Sequence, residues 1–165
     1  MIDVYYTSRP VDSAEFVTRV LREKYGISSP QFARGEHGKP YLTNAPLFFN
    51  LSHAQGRTFV AISRSEVGLD AELLSRPLPQ SVLRRLSDKE RREDFFFVWT
   101  AKEAYVKYLG TSLAALLASL RFEEGVLSLD GVPVPAVLNQ MQCDGYALTL
   151  CSATRQEVRL SLFQT

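Results

Sequence analysis

The segment from Phe95 to Leu109 constrains the fold most, because it is the strongest helix signal in the chain. It opens with the almost wholly apolar run Phe95-Phe-Phe-Val-Trp99, which must be buried, and Gly110 is placed to end it. Strand patterns come in runs on both sides of this helix rather than alternating with helices, at residues 2–7, 48–51, 58–62, 66–72, 119–122, 126–129, 146–151 and 158–163. This order predicts an α+β fold.

Two further helices and a loop complete the predicted elements. Asp12 or Ser13 can cap a helix that places four apolar side chains on one face, namely Phe16, Val17, Val20 and Leu21. Gly26 is placed to stop it. A charged helix is expected over roughly residues 80–92, and residues 28–40 have the composition of a loop. The strands of the last third are expected to be antiparallel, with turns at Asp130-Gly131 and Asp144-Gly145.

Size and charge exclude several classes of protein. A chain of 165 residues favours one compact domain or two small halves sharing a core. Nineteen Lys and Arg against eighteen Asp and Glu give a net charge of +1, which argues against a generic nucleic-acid binder. There is no secretory signal pattern at the start, and the longest apolar-rich stretch, residues 113–120, is too short for a membrane span. Cys143 and Cys151 cannot form a disulfide framework, so a cytoplasmic setting is expected.

The first candidate site is the segment Val67-Gly68-Leu69-Asp70-Ala71-Glu72. Residues two apart on a strand point to the same face, so Asp70 and Glu72 should project together. Paired carboxylates repel one another unless a cation lies between them, and oxygen ligands at this spacing suit Mg²⁺. The alternative is a solvated face at the end of a strand.

The second candidate lies on the long helix, where Trp99, Glu103 and Lys107 form one stripe at spacings of four residues. Glu103 and Lys107 could be a surface ion pair of small energetic value. The buried segment ahead of them instead favours a position at the rim of the core.

Two shorter motifs precede these. In Phe49-Asn50-Leu51-Ser52-His53, an imidazole and a hydroxyl at a turn can bind phosphate, although His53 could equally be a structural hydrogen-bonding residue. The other, Gly38-Lys39-Pro40, is a turn and lacks the pattern of a P-loop.

The order and spacing of these four motifs resemble the 4′-phosphopantetheinyl transferase superfamily, in its Sfp-type branch. The resemblance covers roughly residues 36–110 and is looser to residue 151, and the pattern W-x-x-K-E-A-x-x-K is complete from Trp99 to Lys107. It implies transfer of the 4′-phosphopantetheine arm of coenzyme A to a serine of an apo acyl or peptidyl carrier protein, with release of adenosine 3′,5′-bisphosphate. A coenzyme A-binding homologue without transfer activity, a Mg²⁺-dependent phosphohydrolase and a structural module are the alternatives.

The same resemblance implies a role for each motif. Asp70, Glu72 and Glu103 would hold Mg²⁺, while Lys107 contacts the phosphates with help from Lys102, and Glu103 takes the serine proton. For coenzyme A, Ser52 and His53 would bind the 3′-phosphate side, and Lys39 and Pro40 would line the adenine pocket.

The resemblance also implies architecture and partners. Two similar α+β halves, residues 1–65 and 66–165, would be related by a pseudo-twofold axis, with coenzyme A in the cleft between them. The two-half organisation favours a monomer. The basic side chains between residues 84 and 92 could meet an acidic carrier protein, or simply form a solvated face.

Overall fold

The computed structural model describes residues 1–164 and contains twelve strands and four α-helices within them. The strands are β1 Ile2–Tyr6, β2 Phe32–Arg34, β3 Pro40–Leu42, β4 Phe48–Ala54, β5 Arg57–Ser63, β6 Val67–Leu73, β7 Leu120–Glu123, β8 Val126–Leu129, β9 Val132–Pro133, β10 Val137–Cys143, β11 Tyr146–Ser152 and β12 Val158–Leu162. The helices are α1 Ser13–Tyr25, α2 Gln80–Leu83, α3 Phe95–Leu109 and α4 Leu113–Leu116, with a 3-10 turn at Glu90–Arg92. The predicted α+β class is confirmed.

Both long helices begin and end as the sequence predicts. Asp12 caps α1 by accepting a hydrogen bond from the backbone N–H of Glu15, and Asp94 caps α3 in the same manner. Gly26 and Gly110 end the two helices in the left-handed conformation, which a residue without a side chain adopts at little cost. The four apolar side chains predicted for one face of α1 are all buried.

Two sheets form the centre of the molecule, in the orders β12-β1-β5-β4 and β10-β11-β6. An apolar cluster between them contains Ile2, Val4 and Phe59 from the first sheet and Leu69 and Leu148 from the second. Helix α1 covers the outer face of the first sheet, and α3 covers the outer face of the second. The layers therefore run α1, sheet, sheet, α3. Two smaller sheets, β2-β3 and β7-β8-β9, lie outside this stack.

Helix α3 approaches β6 closely at Gly68. A Cβ atom at this position would collide with the carbonyl oxygen of Ala104 and lie 2.5 Å from the backbone nitrogen of Tyr108. Only a residue without a side chain permits this approach. A buried hydrogen bond of 2.7 Å between the hydroxyls of Thr100 and Thr149 ties the same helix to β11.

Three predicted elements differ from the structure. The expected charged helix over residues 80–92 is wrong, because only α2 and the 3-10 turn form there. The expected loop at 28–40 contains β2 and the start of β3, and β10 was not anticipated. The last strand pairs in parallel with β1, with Ile2 opposite Val158, so its expected antiparallel pairing is wrong. The short strand β2 and the mixed burial of β10 leave little periodic signal to read.

The division near residue 65 and the pseudo-twofold axis stay predictions. Hydrogen bonding crosses that boundary, because β12 joins the sheet built by the first 63 residues. Within residues 1–164, no helix combines the length and apolar composition needed to span a bilayer.

Replacing Gly68 by Ala should destabilise the protein by about 1–3 kcal/mol, because the added methyl group must push α3 away from β6. Urea denaturation followed by circular dichroism measures the loss. Gly35→Ala is the matched control, since a Cβ there meets nothing closer than 3.7 Å and its backbone needs no positive φ. Equal stability of the two variants would contradict the close contact.

Candidate active site

The site forms where α3 lies against β6. Asp70 and Glu72 are two residues apart on β6, and their side chains share the face that α3 covers, as predicted. Helix α3 brings Glu103 and Lys107, one turn apart, to the same place. The structure therefore gathers four of the predicted site residues from two elements.

Asp70 is buried and is held through one of its two oxygens. Lys107 Nζ lies 2.7 Å from Asp70 Oδ1, and the Ser52 hydroxyl donates a hydrogen bond of 3.0 Å to the same oxygen. Burial raises the pKa of Asp70, and the Lys107 charge opposes that shift. The other oxygen, Oδ2, is buried and has no hydrogen-bond partner among the described residues.

Glu72 has its own counter-ion four residues further along the chain. Arg76 Nε lies 2.7 Å from Glu72 Oε2, and a second guanidinium nitrogen lies 2.8 Å from Oε1. Burial and the charge of Asp70 raise the pKa of Glu72, whereas Arg76 lowers it. The two carboxylates are thus close enough to repel each other.

Glu103 has the most perturbed carboxyl group of the site. Burial raises its pKa to about 7, and the charges of Asp70 and Glu72 add to the shift while Lys107 opposes it. Within residues 1–164 its carboxylate accepts no hydrogen bond. Glu103 is therefore a carboxyl group that gains or loses its proton near neutral pH, and it lies beside two other acidic side chains.

These three carboxylates suit a hard divalent cation in their chemistry. All are oxygen donors, their negative charges disfavour one another, and Asp70 Oδ2 is a buried acceptor without a donor. As the side chains stand, no group of three or more His, Cys, Asp or Glu residues in the described chain is arranged to hold a metal ion. Lys107 and Arg76 compensate the carboxylates instead.

Ser52 and His53, which are predicted to act on the same phosphate, point in different directions in the structure. Neighbouring residues on β4 point to opposite faces of the strand. Ser52 is buried against Asp70, whereas His53 is exposed and its Nε2 contacts the hydroxyl of Ser13 at the start of α1. Partial burial and the charge of Lys107 lower the pKa of His53.

Lys39 and Pro40 border two cavities next to the site. One, of about 250 Å³, is also lined by Asn50 and Lys107, and the other, of about 570 Å³, extends along the loop towards Glu66. The ammonium group of Lys39 is engaged by the protein itself. It lies 2.5 Å from Glu66 Oε1 and donates hydrogen bonds to the carbonyl oxygens of Val67 and Tyr108.

Lys102 lies away from these cavities, which corrects its expected contact with coenzyme A. Its side chain is 0% exposed, and its Nζ lies 2.6 Å from Glu90 Oε1, which is equally buried. Glu90 also accepts hydrogen bonds from the backbone N–H groups of Ser87 and Phe122. On α3 the direction of the side chain decides this outcome, because residues 102 and 103 point about 100° apart.

The contacts that three residues make at or near the site were not predicted, namely those of Asn50, Arg76 and Ser13. Asn50 and Ser52 both accept hydrogen bonds from backbone N–H groups of β6, from Leu69 at 2.8 Å and Ala71 at 3.1 Å. Their spacing of two residues on β4 was a usable signal, because it places both on one face. Only the fold brings Ser13 to His53.

Replacing Lys102 by Met should lower the free energy of unfolding by about 3–5 kcal/mol, because Glu90 would become an unpaired buried charge. Urea denaturation measures this loss. The double variant Lys102→Met with Glu90→Gln should recover part of it, since the remaining charge is removed. A single variant as stable as the wild type would contradict the buried pair.

The Glu103 carboxyl should make stability depend on pH. Its folded-state pKa of about 7 exceeds the ordinary value of 4.5, so the folded state holds the proton more tightly than the unfolded chain. Its contribution is present below pH 4.5 and is lost as pH rises to about 7. In metal-free buffer, the stability of wild type relative to Glu103→Gln should therefore fall across this range and then level off. A difference independent of pH would contradict the raised pKa.

Comparison with known proteins identifies the family. Residues 66–151, which carry β6, α3 and β11, match the model of the 4′-phosphopantetheinyl transferase superfamily. The 4′-phosphopantetheinyl transferase AcpT of Salmonella typhimurium is 32% identical over 156 residues, covering 82% of this chain and 74% of the relative. Sfp of Bacillus subtilis, also named a 4′-phosphopantetheinyl transferase, is 26% identical over 83% of this chain and 70% of its own length. The chain belongs to the 4′-phosphopantetheinyl transferase superfamily.

Proposed function

We propose that this protein transfers the 4′-phosphopantetheine arm of coenzyme A to a serine of an apo acyl or peptidyl carrier protein, releasing adenosine 3′,5′-bisphosphate. The names of its relatives support the reaction. The observation that carries it here is the meeting of Asp70, Glu72, Glu103 and Lys107 beside a cavity that reaches Lys39 and Pro40. Acidic and basic groups so placed suit a reaction at a diphosphate.

The proposed cation ligands are Asp70, Glu72 and Glu103, with Mg²⁺ as the cation. The unpartnered Oδ2 atom of Asp70 and the mutual repulsion of the three carboxylates support this assignment. When bound, Mg²⁺ would neutralise charge on the diphosphate and polarise its phosphorus–oxygen bonds. Arg76 would keep Glu72 ionised for this role, because its guanidinium opposes the rise of the Glu72 pKa.

Two residues of α3 act on the reacting groups. Lys107 binds the diphosphate oxygens and, with Asp70, fixes where they lie. Glu103 accepts the proton of the carrier serine, directly or through a water, as the serine oxygen bonds to phosphorus and the bond to the leaving phosphate breaks. A general base must be unprotonated at the working pH, and a bound cation would favour the ionised form of Glu103.

Coenzyme A would lie along the two cavities bordered by Lys39 and Pro40. His53 would bind the 3′-phosphate, which is supported by its exposed imidazole and its position near Lys107. The backbone around Lys39 would border the adenine, while the Lys39 ammonium anchors this loop to α3 through Tyr108. A pseudo-twofold relation between residues 1–65 and 66–165 would place this site between the halves.

We propose that the carrier protein binds at the segment that follows β6. Five basic side chains lie there, at Arg84, Arg85, Lys89, Arg91 and Arg92, and all five are exposed. They could meet an acidic surface.

A monomer in the cytoplasm remains the expected state, and both cysteines are free thiols.

A homologue that binds coenzyme A without transferring its arm is the other function to consider. Binding alone would not require three carboxylates with raised pKa values beside a lysine. The unpartnered Asp70 Oδ2 favours the transferase, since a purely structural carboxylate would have both oxygens satisfied.

Incubation with coenzyme A, Mg²⁺ and a panel of apo carrier proteins should add the phosphopantetheine arm to at least one carrier, as measured by intact-protein mass spectrometry. Asp70→Ala should abolish the transfer, and Glu103→Gln should lower turnover by roughly two orders of magnitude or more, because it removes the general base and a ligand charge. Glu23→Gln, at an exposed position on α1 that lines neither cavity, is the control and should transfer normally. Full activity of Asp70→Ala would reject the proposed site.

A further inference from the structure

Ser52 occupies a buried position between two strands that do not pair directly. It lies on β4, at the edge of the first sheet, and is 2% exposed. Its hydroxyl meets Ala71 and Asp70 on β6, the edge strand of the second sheet. Ser52 therefore touches a proposed cation ligand from across the boundary between the two sheets.

The hydrogen-bonding capacity of this hydroxyl is fully used by the protein. A serine hydroxyl has one proton to donate and two lone pairs that accept. Ser52 donates to Asp70 Oδ1 at 3.0 Å, and it accepts from the Ala71 N–H at 3.1 Å and from Lys107 Nζ at 3.3 Å. No donor or acceptor remains for a phosphate group.

These bonds settle which oxygen of Asp70 is free. Ser52 and Lys107 both engage Oδ1, whereas Oδ2 is buried without a partner. Because the Ser52 hydroxyl is itself fixed by the backbone of β6, it fixes the position of Asp70 Oδ1 relative to the strand. A carboxylate fixed through one oxygen presents the other to a ligand.

His53, the next residue, has the opposite environment. It is exposed on the other face of β4, and its nearest polar partner is Ser13 of α1 rather than any residue of β6. Ser52 and His53 therefore have different partners, Asp70 on β6 and Ser13 on α1.

We propose that Ser52 is a positioning residue, which orients Asp70 for the divalent cation and makes no contact with the 3′-phosphate of coenzyme A. This inference rests on the proposed function, in which the cation takes part in the transfer reaction. Its central claim concerns cation binding alone and can be tested without coenzyme A or a carrier protein.

The test measures Mn²⁺ binding by electron paramagnetic resonance in the absence of coenzyme A. Ser52→Ala should raise the Kd for Mn²⁺ by about 10-fold or more, the range typical of residues that orient metal ligands. Ser52→Cys keeps the shape of the side chain, with a larger sulfur atom, but its thiol is a weak donor, so it should weaken Mn²⁺ binding as well. Wild-type affinity in both variants, or no Mn²⁺ binding by the wild-type protein, would overturn the proposal.

Asn50→Ala is the matched control for loss of a bridge between the strands. Asn50 is buried on the same face of β4 and accepts a hydrogen bond of 2.8 Å from the backbone N–H of Leu69, yet among the described residues it makes no hydrogen bond to Asp70. This variant should therefore keep the wild-type Kd for Mn²⁺. An equal loss of Mn²⁺ affinity in Asn50→Ala would show a merely structural effect and contradict the specific role of Ser52.

The second readout compares KM for coenzyme A and for dephospho-coenzyme A. The ratio of the two should be unchanged in Ser52→Ala, whereas His53→Ala should raise KM for coenzyme A selectively. A changed ratio in Ser52→Ala would overturn the proposal by showing contact with the 3′-phosphate. If the wild-type protein transfers no phosphopantetheine, the proposed function fails, but the Mn²⁺ measurements still decide the role of Ser52.

Discussion

The direct contact of α3 with β6 at Gly68 is the constraint on which the site depends. Because no side chain intervenes, the helix backbone reaches the strand, and Ala104 and Tyr108 lie against Gly68. Glu103 and Lys107 each directly precede one of these two contact residues on the helix. Asp70 lies two residues from Gly68 on the same face of the strand. A longer distance between helix and strand would separate the acids of β6 from the groups of α3. The site is thus a consequence of packing at one residue without a side chain.

The second constraint is the way in which the two sheets meet. Their facing surfaces are apolar, but the edge strands β4 and β6 are joined by side chains rather than by a backbone ladder. Asn50 and Ser52 satisfy the backbone N–H groups of Leu69 and Ala71, which burial would otherwise leave unpaired. This bridge fixes β6 relative to the first sheet. It also connects the proposed cation site to the strand that carries His53.

Charge is distributed unevenly around the site. Asp70 and Glu72 each have a basic partner, Lys107 and Arg76, whereas Glu103 has neither an ion pair nor a hydrogen bond among the described residues. Burial beside two acids raises the pKa of Glu103, and a bound cation would reverse the repulsion that contributes to this shift. Lys102, one position earlier on α3, is instead sealed in a buried pair with Glu90. Neighbouring residues of one helix thus have different roles, because Lys102 stabilises the fold and Glu103 belongs to the candidate site.

Local sequence patterns predicted the α+β class, the extent of both long helices, the shared face of Asp70 and Glu72, and the spacing of Glu103 and Lys107 by one helical turn. These are local properties, set by periods of two and 3.6 residues and by capping chemistry. The tertiary structure alone decided that Ser52 and His53 have different partners, that Lys102 is buried and that β12 pairs with β1. The weak signals of residues 28–40 and 80–92 were misread for a related reason, since short elements depend on packing more than on their own periodicity. The contacts of Ser52, Lys102 and β12 join residues that are far apart in the chain. A local sequence pattern carries no information about which distant surface will cover a given residue.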